Sequence, residues 1–363
     1  MKFSARKDNL ASALAIAERF VGKNSALPVL GGVLLEVANN LLVVTATNLE
    51  HAIQIQVRGN PERDGKISVP ARLVSSLIQS TKEETIELEA VKDQLIVKTG
   101  ARKTRINTFP VEEFPLIPKV KKTHEATVEN SLFSAALERV LPAVSASGFK
   151  PELSGVYVQV FPKEVRLAAT DTARLAESVL PVAKSPDESF SFILPHRIGQ
   201  EISRLRSEGD ITITFGDNQV LFSLDGIEIT SRIIDGAFPE YRAVIPTQFE
   251  TSSFDSRTEL MDAVRVAGLF ASKLQDVTLS FADSKLTATS TNVEVGENTA
   301  MLPAECSGKE AEIRFNYRYL LDGLATLAED QIFIGCNKET SPALFRDKSD
   351  TSFVYILMPL RLS

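Results

Sequence analysis

Two cysteines and three histidines leave this 363-residue chain little material for thiol or metal chemistry. Cys306 and Cys336 have neither the spacing nor the neighbours of a metal site, and read as buried thiols of a reducing compartment. His51, His124 and His196 stand without further His or Cys ligands nearby in sequence, so no metal and no cofactor is expected. No apolar run approaches the roughly 18–20 residues of a membrane span. The opening MKFSARKDNL has no signal-peptide core, so a cytoplasmic, non-membrane protein is expected. No phosphate-binding glycine motif, nucleophile elbow or kinase signature occurs. Asp171 and Glu177 make no convincing carboxylate pair and read as structural. These absences remove the common enzyme constellations. Net charge is −7, which argues mildly against nucleic acid unless the basic residues are gathered on one face.

What the chain does have is a phrase that returns at a fixed interval. LLVVTATNLEHA, VRLAATDTARLA and KLTATSTNVEVG each run from an apolar β-type stretch through a threonine into Asn or Asp. The anchoring threonines are Thr47, Thr170 and Thr291, spaced by 123 and 121 residues. A period of this kind marks tandem units. Chain length alone allows two or three domains; the period selects three, over residues 1–121, 126–247 and 251–363. Polar, unpatterned breaks are expected near residues 119–125 and 247–256.

Each copy follows one order. A helix is expected over 7–21, where Leu10, Leu14, Ala17 and Val21 share a face, with counterparts over 131–140 and 258–270. Strand pairs follow at 34–37 and 41–45 around Asn39-Asn40, at 156–160 and 165–169, and at 277–281 and 285–289. Second helices are expected over 71–79, 196–205 and 316–327. Hairpins then turn at Lys92-Asp93 and Asp217-Asn218, and the third copy has strands at 332–336 and 343–346. Phe114-Pro115 and Phe238-Pro239-Glu240-Tyr241 close the first two copies, because proline cannot continue a helix.

Two helices against antiparallel sheet make each copy an α+β layer. Three such units in tandem leave sheet edges bare at either end. A capped solenoid would cover them, as would a second chain docking head to tail to close a ring. With no capping element in view, closure is expected. The helices and their flanks carry Lys7, Arg19, Lys23, Arg72, Arg139, Lys150, Arg197, Arg204 and Arg265, whereas Glu83, Glu84, Glu87, Glu89, Glu112 and Glu113 lie in hairpins and exits. Such a bias suits a duplex held through its phosphates, and it equally suits a solvated helix face.

Five segments in order carry a resemblance. They are Leu27-Pro28-Val29-Leu30-Gly31; Ala169-Thr170-Asp171 with Arg174-Leu175-Ala176; Asp235-Gly236-Ala237-Phe238-Pro239-Glu240-Tyr241; Phe315-Asn316-Tyr317-Arg318-Tyr319-Leu320; and Met358-Pro359-Leu360-Arg361-Leu362. Together they resemble the beta subunits of bacterial DNA polymerase III, the replication sliding clamps, over the full length. The resemblance implies three clamp domains per chain and a head-to-tail homodimer, a six-domain ring with helices inside, around duplex DNA. It implies no catalysis. Its partners would be the replicative polymerase, the clamp loader and other proteins carrying a clamp-binding motif.

Carried over position by position, the resemblance places a peptide-binding cleft at Leu153, Thr170, Thr172, Arg174, Leu175, Pro239, Val244, Ile356, Leu357, Met358, Pro359, Leu360 and Arg361. Arg174 and Arg361 would supply polar anchors there. DNA contacts would fall on Lys23, Asn24, Arg72, His196 and Arg197, with Phe149 and Lys150 beside Pro151-Glu152, where members carry aromatic residues that touch DNA. The ring interface would pair residues 104–108 (Thr104, Ile106 and Thr108) with a helix presenting Arg265, Leu269, Lys273 and Leu274. Many members have Gly-His at Thr172-Ala173, and an arginine can stand at Ala243; both positions bear on partner preference. Two rivals remain. An open three-domain adaptor would be a monomer, and a hydrolase would need the His, Cys and carboxylate groupings that are missing.

Overall fold

Turn chemistry sets the first hairpins. Asn39 and Asn40 sit in the left-handed region, at φ 51° and 64°, and reverse Gly32–Ala38 into Leu41–Thr47. Asparagine tolerates that region because its short polar side chain bonds locally. Lys92, at φ 53°, turns Thr85–Val91 into Gln94–Thr99 in the same manner.

The computed structural model describes residues 1–22, 27–282 and 284–361. It divides into two compact units, Met1–Asn130 with Ser207–Ile233, and Ser131–Arg206 with Ile234–Ser363. The repeat period and the compact units do not coincide, since the second copy contributes to both.

In the first unit a five-stranded antiparallel sheet runs in the order Asn60–Arg63, Lys2–Arg6, Thr85–Val91, Gln94–Thr99, Arg102–Asn107. An eight-stranded sheet runs His124–Glu129, Asp210–Phe215, Gln219–Leu224, Ile227–Arg232, His51–Val57, Leu41–Thr47, Gly32–Ala38, Gly65–Pro70. Within it Ile229 lies opposite Ile53 and Ser231 opposite His51, so strands of two copies share one ladder. Helices α1 (Lys7–Glu18) and α2 (Ala71–Ser80) pack on one another and bury Leu10, Leu14, Ala17, Val74 and Ile78. Each large apolar side chain so buried contributes about 1.5–3 kcal/mol.

The second unit repeats the scheme. Its nine-stranded sheet runs Phe190–Pro195, Gly155–Val160, Glu164–Thr170, Arg174–Pro181, Phe353–Leu357, Ala343–Asp347, Gln331–Cys336, Thr251–Ser256, Ser307–Gly308. A four-stranded sheet runs Gly296–Pro303, Lys285–Asn292, Asp276–Ala282, Ala311–Asn316. Here the two copies join through Arg174 opposite Leu357 and Leu175 opposite Ile356. Helices α3 (Asn130–Val140), α4 (His196–Ser203), α5 (Arg257–Gly268) and α6 (Tyr317–Ala325) complete the α+β architecture. Asn316 Oδ1 caps α6 by accepting from the Arg318 and Tyr319 amides at 3.0 and 3.2 Å. Among the described residues no helix is long and apolar enough to cross a membrane.

One expectation needs correction. Residues 247–256 read as an unpatterned break, yet Thr251–Ser256 is a strand whose buried side carries Thr251, Ser253 and Asp255. The buried positions are polar, so no hydropathy alternation marked the strand. Thr251 Oγ1 donates to Lys309 O at 2.7 Å and the Ser253 hydroxyl donates to Asp255, which lets polar groups occupy the interior. The strand His124–Glu129 likewise begins inside the expected break at 119–125.

Candidate functional site

The turn between Glu164–Thr170 and Arg174–Pro181 is held by side chains. Thr170 Oγ1 donates to Arg174 O at 2.6 Å and accepts from Thr172 N at 3.1 Å. Asp171 Oδ1 accepts from the amides of Ala173 and Arg174, both at 3.0 Å. These bonds keep Thr172 at φ 80°, a region that costs a β-branched residue roughly 1–2 kcal/mol. The first copy builds the same turn. Thr47 Oγ1 donates to His51 O at 2.9 Å, Asn48 Oδ1 accepts from the Glu50 and His51 amides at 3.1 and 2.9 Å, and Leu49 sits at φ 79°. The third copy differs: Asn292 Oδ1 accepts from Glu294 N at 3.0 Å, and the positive φ falls on Gly296, at 127°.

Beside the Thr170 turn lies a cleft of about 230 Å³. Eight of the expected residues line it: Thr170, Thr172, Arg174, Leu175, Pro239, Val244, Ile356 and Met358. Backbone pairing fixes the walls, because Leu175 faces Ile356 across the ladder and the Met358 amide donates to Ala173 O at 2.8 Å. Leu175, Tyr241 and Ile356 continue inward into a cluster with Ala168, Phe333 and Leu344. A mostly apolar hollow with a few placed polar groups suits a short peptide with apolar anchors, and the Met358 thioether adapts to varied shapes.

The other five expected residues are not among those lining this cleft. Leu153 and Leu357 are buried, at 3% and 0% exposure, and pack behind the surface rather than on it. Pro359 is half-buried beyond Met358. Leu360 and Arg361 line a separate hollow of about 320 Å³ with Thr278, Glu312, Arg314, Glu339 and Thr340. The Leu360 amide donates to Arg314 O at 2.8 Å, which lays this end of the chain along Ala311–Asn316.

Glu240 and Tyr241 line the cleft without having been placed there by sequence. Leu175 and Glu177 alternate onto one face of a strand, so an inward acid beside an apolar wall needed a donor. Tyr241 is that donor: its hydroxyl donates to Glu177 and, at 3.3 Å, to Gln159. Burial first, and then the Glu177 carboxylate, hold the Tyr241 phenol well above its ordinary pKa.

Arg174 is more constrained than a free polar anchor. Its Nε donates to Asp171 Oδ2 at 2.9 Å and its Nη1 to Asp322 Oδ2 at 2.6 Å. The guanidinium also lies over the Tyr319 ring, 4.2 Å from its centroid. Burial opposes its charge, but Tyr355, Asp322 and Asp171 prevail and raise its pKa.

Of the residues proposed for DNA, Lys23 and Asn24 lie outside the described residues. Arg72 and Arg197 are exposed in the first turns of α2 and α4, and Lys150 is exposed. Phe149 is 96% exposed. His196 is half-buried, and burial lowers its pKa, which favours the neutral imidazole at neutral pH. Arg139 does not belong with the displayed cations. It donates to Asp347 and Asp350 and to Thr326 O, and lies 4.0 Å from the Phe353 centroid.

Of the residues proposed for an interface, Thr104 and Thr108 are half-buried, while Ile106 at 2% exposure points into its own unit's core. Arg102–Asn107 ends its sheet with one neighbouring strand, and so does Gly296–Pro303. Arg265 and Lys273 are exposed, with Arg265 paired to Asp262 at 2.7 Å. Leu269 and Leu274 are 74% and 62% exposed. Met301, on the Gly296–Pro303 strand, is 70% exposed.

Residues 1–118, 127–240 and 242–361 match, in order, the N-terminal, central and C-terminal domain families of the DNA polymerase III beta subunit. The chain belongs to the DNA polymerase III beta subunit family. Family relatives include the beta sliding clamps of Escherichia coli K12, 28% identical, and of Streptomyces coelicolor, 27% identical, with all of each chain covered. Among solved structures, the beta subunit from Thermotoga maritima superimposes with a TM-score of 0.93 at 27% identity, covering both chains fully. A Pseudomonas aeruginosa sliding clamp bound to griselimycin gives 0.95 at 26% identity, again over both full chains. Membership brings with it the role of sliding clamp subunit, a processivity factor in replication.

Proposed function

We propose that this chain is a non-catalytic, cytoplasmic clamp that encircles duplex DNA and tethers its partners through the apolar cleft. The full-length match to three clamp domains carries the reading. Three domains, over residues 1–121, 126–247 and 251–363, form each chain, and two chains join head to tail into a six-domain ring with helices inside. Two of the sheet-edge strands, Arg102–Asn107 and Gly296–Pro303, support this assembly, as do the exposed Leu269, Leu274 and Met301. An edge strand left open is an aggregation hazard that pairing removes.

DNA would be held by phosphate attraction without base reading, with Arg72, Arg197 and Lys150 as the described cations best displayed for it. The cleft would seat the apolar anchors of the replicative polymerase, the clamp loader and other motif-bearing proteins. The test is retention on DNA: the protein loaded by its cognate loader should stay on closed circular DNA and slip off after linearisation. Equal retention on both forms would refute encirclement. Sedimentation separates the adaptor alternative, which requires a monomer where the clamp requires a stable dimer.

A further inference from the structure

The duplicated turn isolates what Arg174 adds. The first copy secures the same backbone with His51 in the equivalent place, so the turn itself does not require an arginine. In the second copy the guanidinium extends past the turn to Asp322 on α6 and rests on Tyr319, three residues earlier on that helix. Residues three apart share a helix face, so α6 grips the guanidinium from two sides. Two carboxylates on one guanidinium give the group a net negative charge. Among the described residues lining the cleft, the only other charged one is Glu240. The cleft therefore displays no uncompensated cation among the described residues.

We propose that Asp322, which does not itself line the cleft, is a positioning residue that sets its charge preference. By holding Arg174 over Tyr319 and offsetting its charge, Asp322 makes the cleft reject an acidic side chain beside the apolar anchors and accept a neutral one. This inference rests on the peptide-cleft reading above.

The experiment measures fluorescence anisotropy with the full chain and two capped peptides. They share leucine and phenylalanine anchors and differ only in Asn or Asp at a flanking position, scanned along the peptide. The unsubstituted chain is expected to prefer the Asn peptide by about fivefold at the most sensitive position, the scale of partly exposed charge pairs. Asp322→Asn, which keeps the side-chain shape, brings the two affinities to near parity; Asp322→Glu restores the preference. Two results overturn the inference alone: equal binding of both peptides by the unsubstituted chain, or an unchanged preference in Asp322→Asn with both peptides weakened alike. Failure of every peptide to bind would overturn the cleft reading and this inference together.

Discussion

Gly323 in α6 tests whether helix propensity or packing governs the wall behind the cleft. A glycine in a helix interior costs about 1 kcal/mol relative to alanine, so propensity alone makes Gly323→Ala stabilising. Packing opposes it. A Cβ built at Gly323 would stand 2.2 Å from Tyr355 Cε1 and 2.4 Å from Cδ1. The Tyr355 ring has little room to retreat: it is 1% exposed, its hydroxyl donates to Tyr319 O at 2.8 Å, and its strand is paired on both sides. Overpacking of this kind costs about 1–3 kcal/mol, and a rigid buried ring puts the value at the upper end. The net expectation is a loss of about 1–2 kcal/mol, seen as a fall of roughly 2–6 °C in the melting of the second unit. Because Ile356 follows Tyr355 and lines the cleft, peptide affinity should fall as well. Urea and thermal melts of Gly323→Ala beside the native chain measure it. A variant equal to or more stable than the native chain would show that α6 and its sheet have slack the structure does not indicate.

Asp255 is buried, its Oδ1 has no hydrogen-bond partner among the described residues, and burial raises its pKa from 3.8 to about 6 despite the Ser253 hydrogen bond. The folded state therefore keeps a proton that the unfolded chain releases, so this group's contribution declines as pH rises from about 4 to about 6 and is constant above. At about 1.4 kcal/mol per decade the difference amounts to about 3 kcal/mol at most. Asp255→Asn should gain stability relative to the native chain between pH 4 and pH 7.5 in urea titrations; the same difference at both pH values would refute this. Thr172→Gly removes left-handed strain of about 1–2 kcal/mol and adds about 0.5–1 kcal/mol of unfolded-chain entropy, so a net gain of up to about 1 kcal/mol is expected from denaturation midpoints, and a clear loss would refute it. Arg72→Glu with Arg197→Glu should weaken retention on circular DNA and reduce the slope of log affinity against log salt by about 0.9 per lost phosphate contact; an unchanged slope would remove them as contacts.

The helices were legible because their apolar residues recur at helical spacing: α1 was expected over 7–21 and ends at Glu18, and α6 over 316–327 and ends at Ala325. The asparagine turn at residues 39–40 was legible from conformational preference alone. Two kinds of strand escaped. Thr251–Ser256 turns polar side chains inward, and Gly296–Pro303 has exposed or half-buried residues throughout, so neither alternates in hydropathy. Eight of the expected residues line one cleft, and strand pairing places four of them, Thr170, Arg174, Leu175 and Ile356. Leu360 and Arg361 fell elsewhere because their placement depends on a backbone bond to Arg314 that no local pattern encodes. The restraint on Arg174 was illegible for a similar reason: Asp322 is 148 residues away in sequence.

The paired turns at Thr47 and Thr170 have a consequence for how such a molecule can change. Their shape is secured by a hydroxyl and a side-chain oxygen working on the main chain, which leaves the fifth position as a socket open to different side chains. Histidine fills it in one copy and arginine in the other. A chain built from repeats thus holds two copies of one turn, and drift or deliberate redesign can vary the side chain at that position in one while the other is left intact.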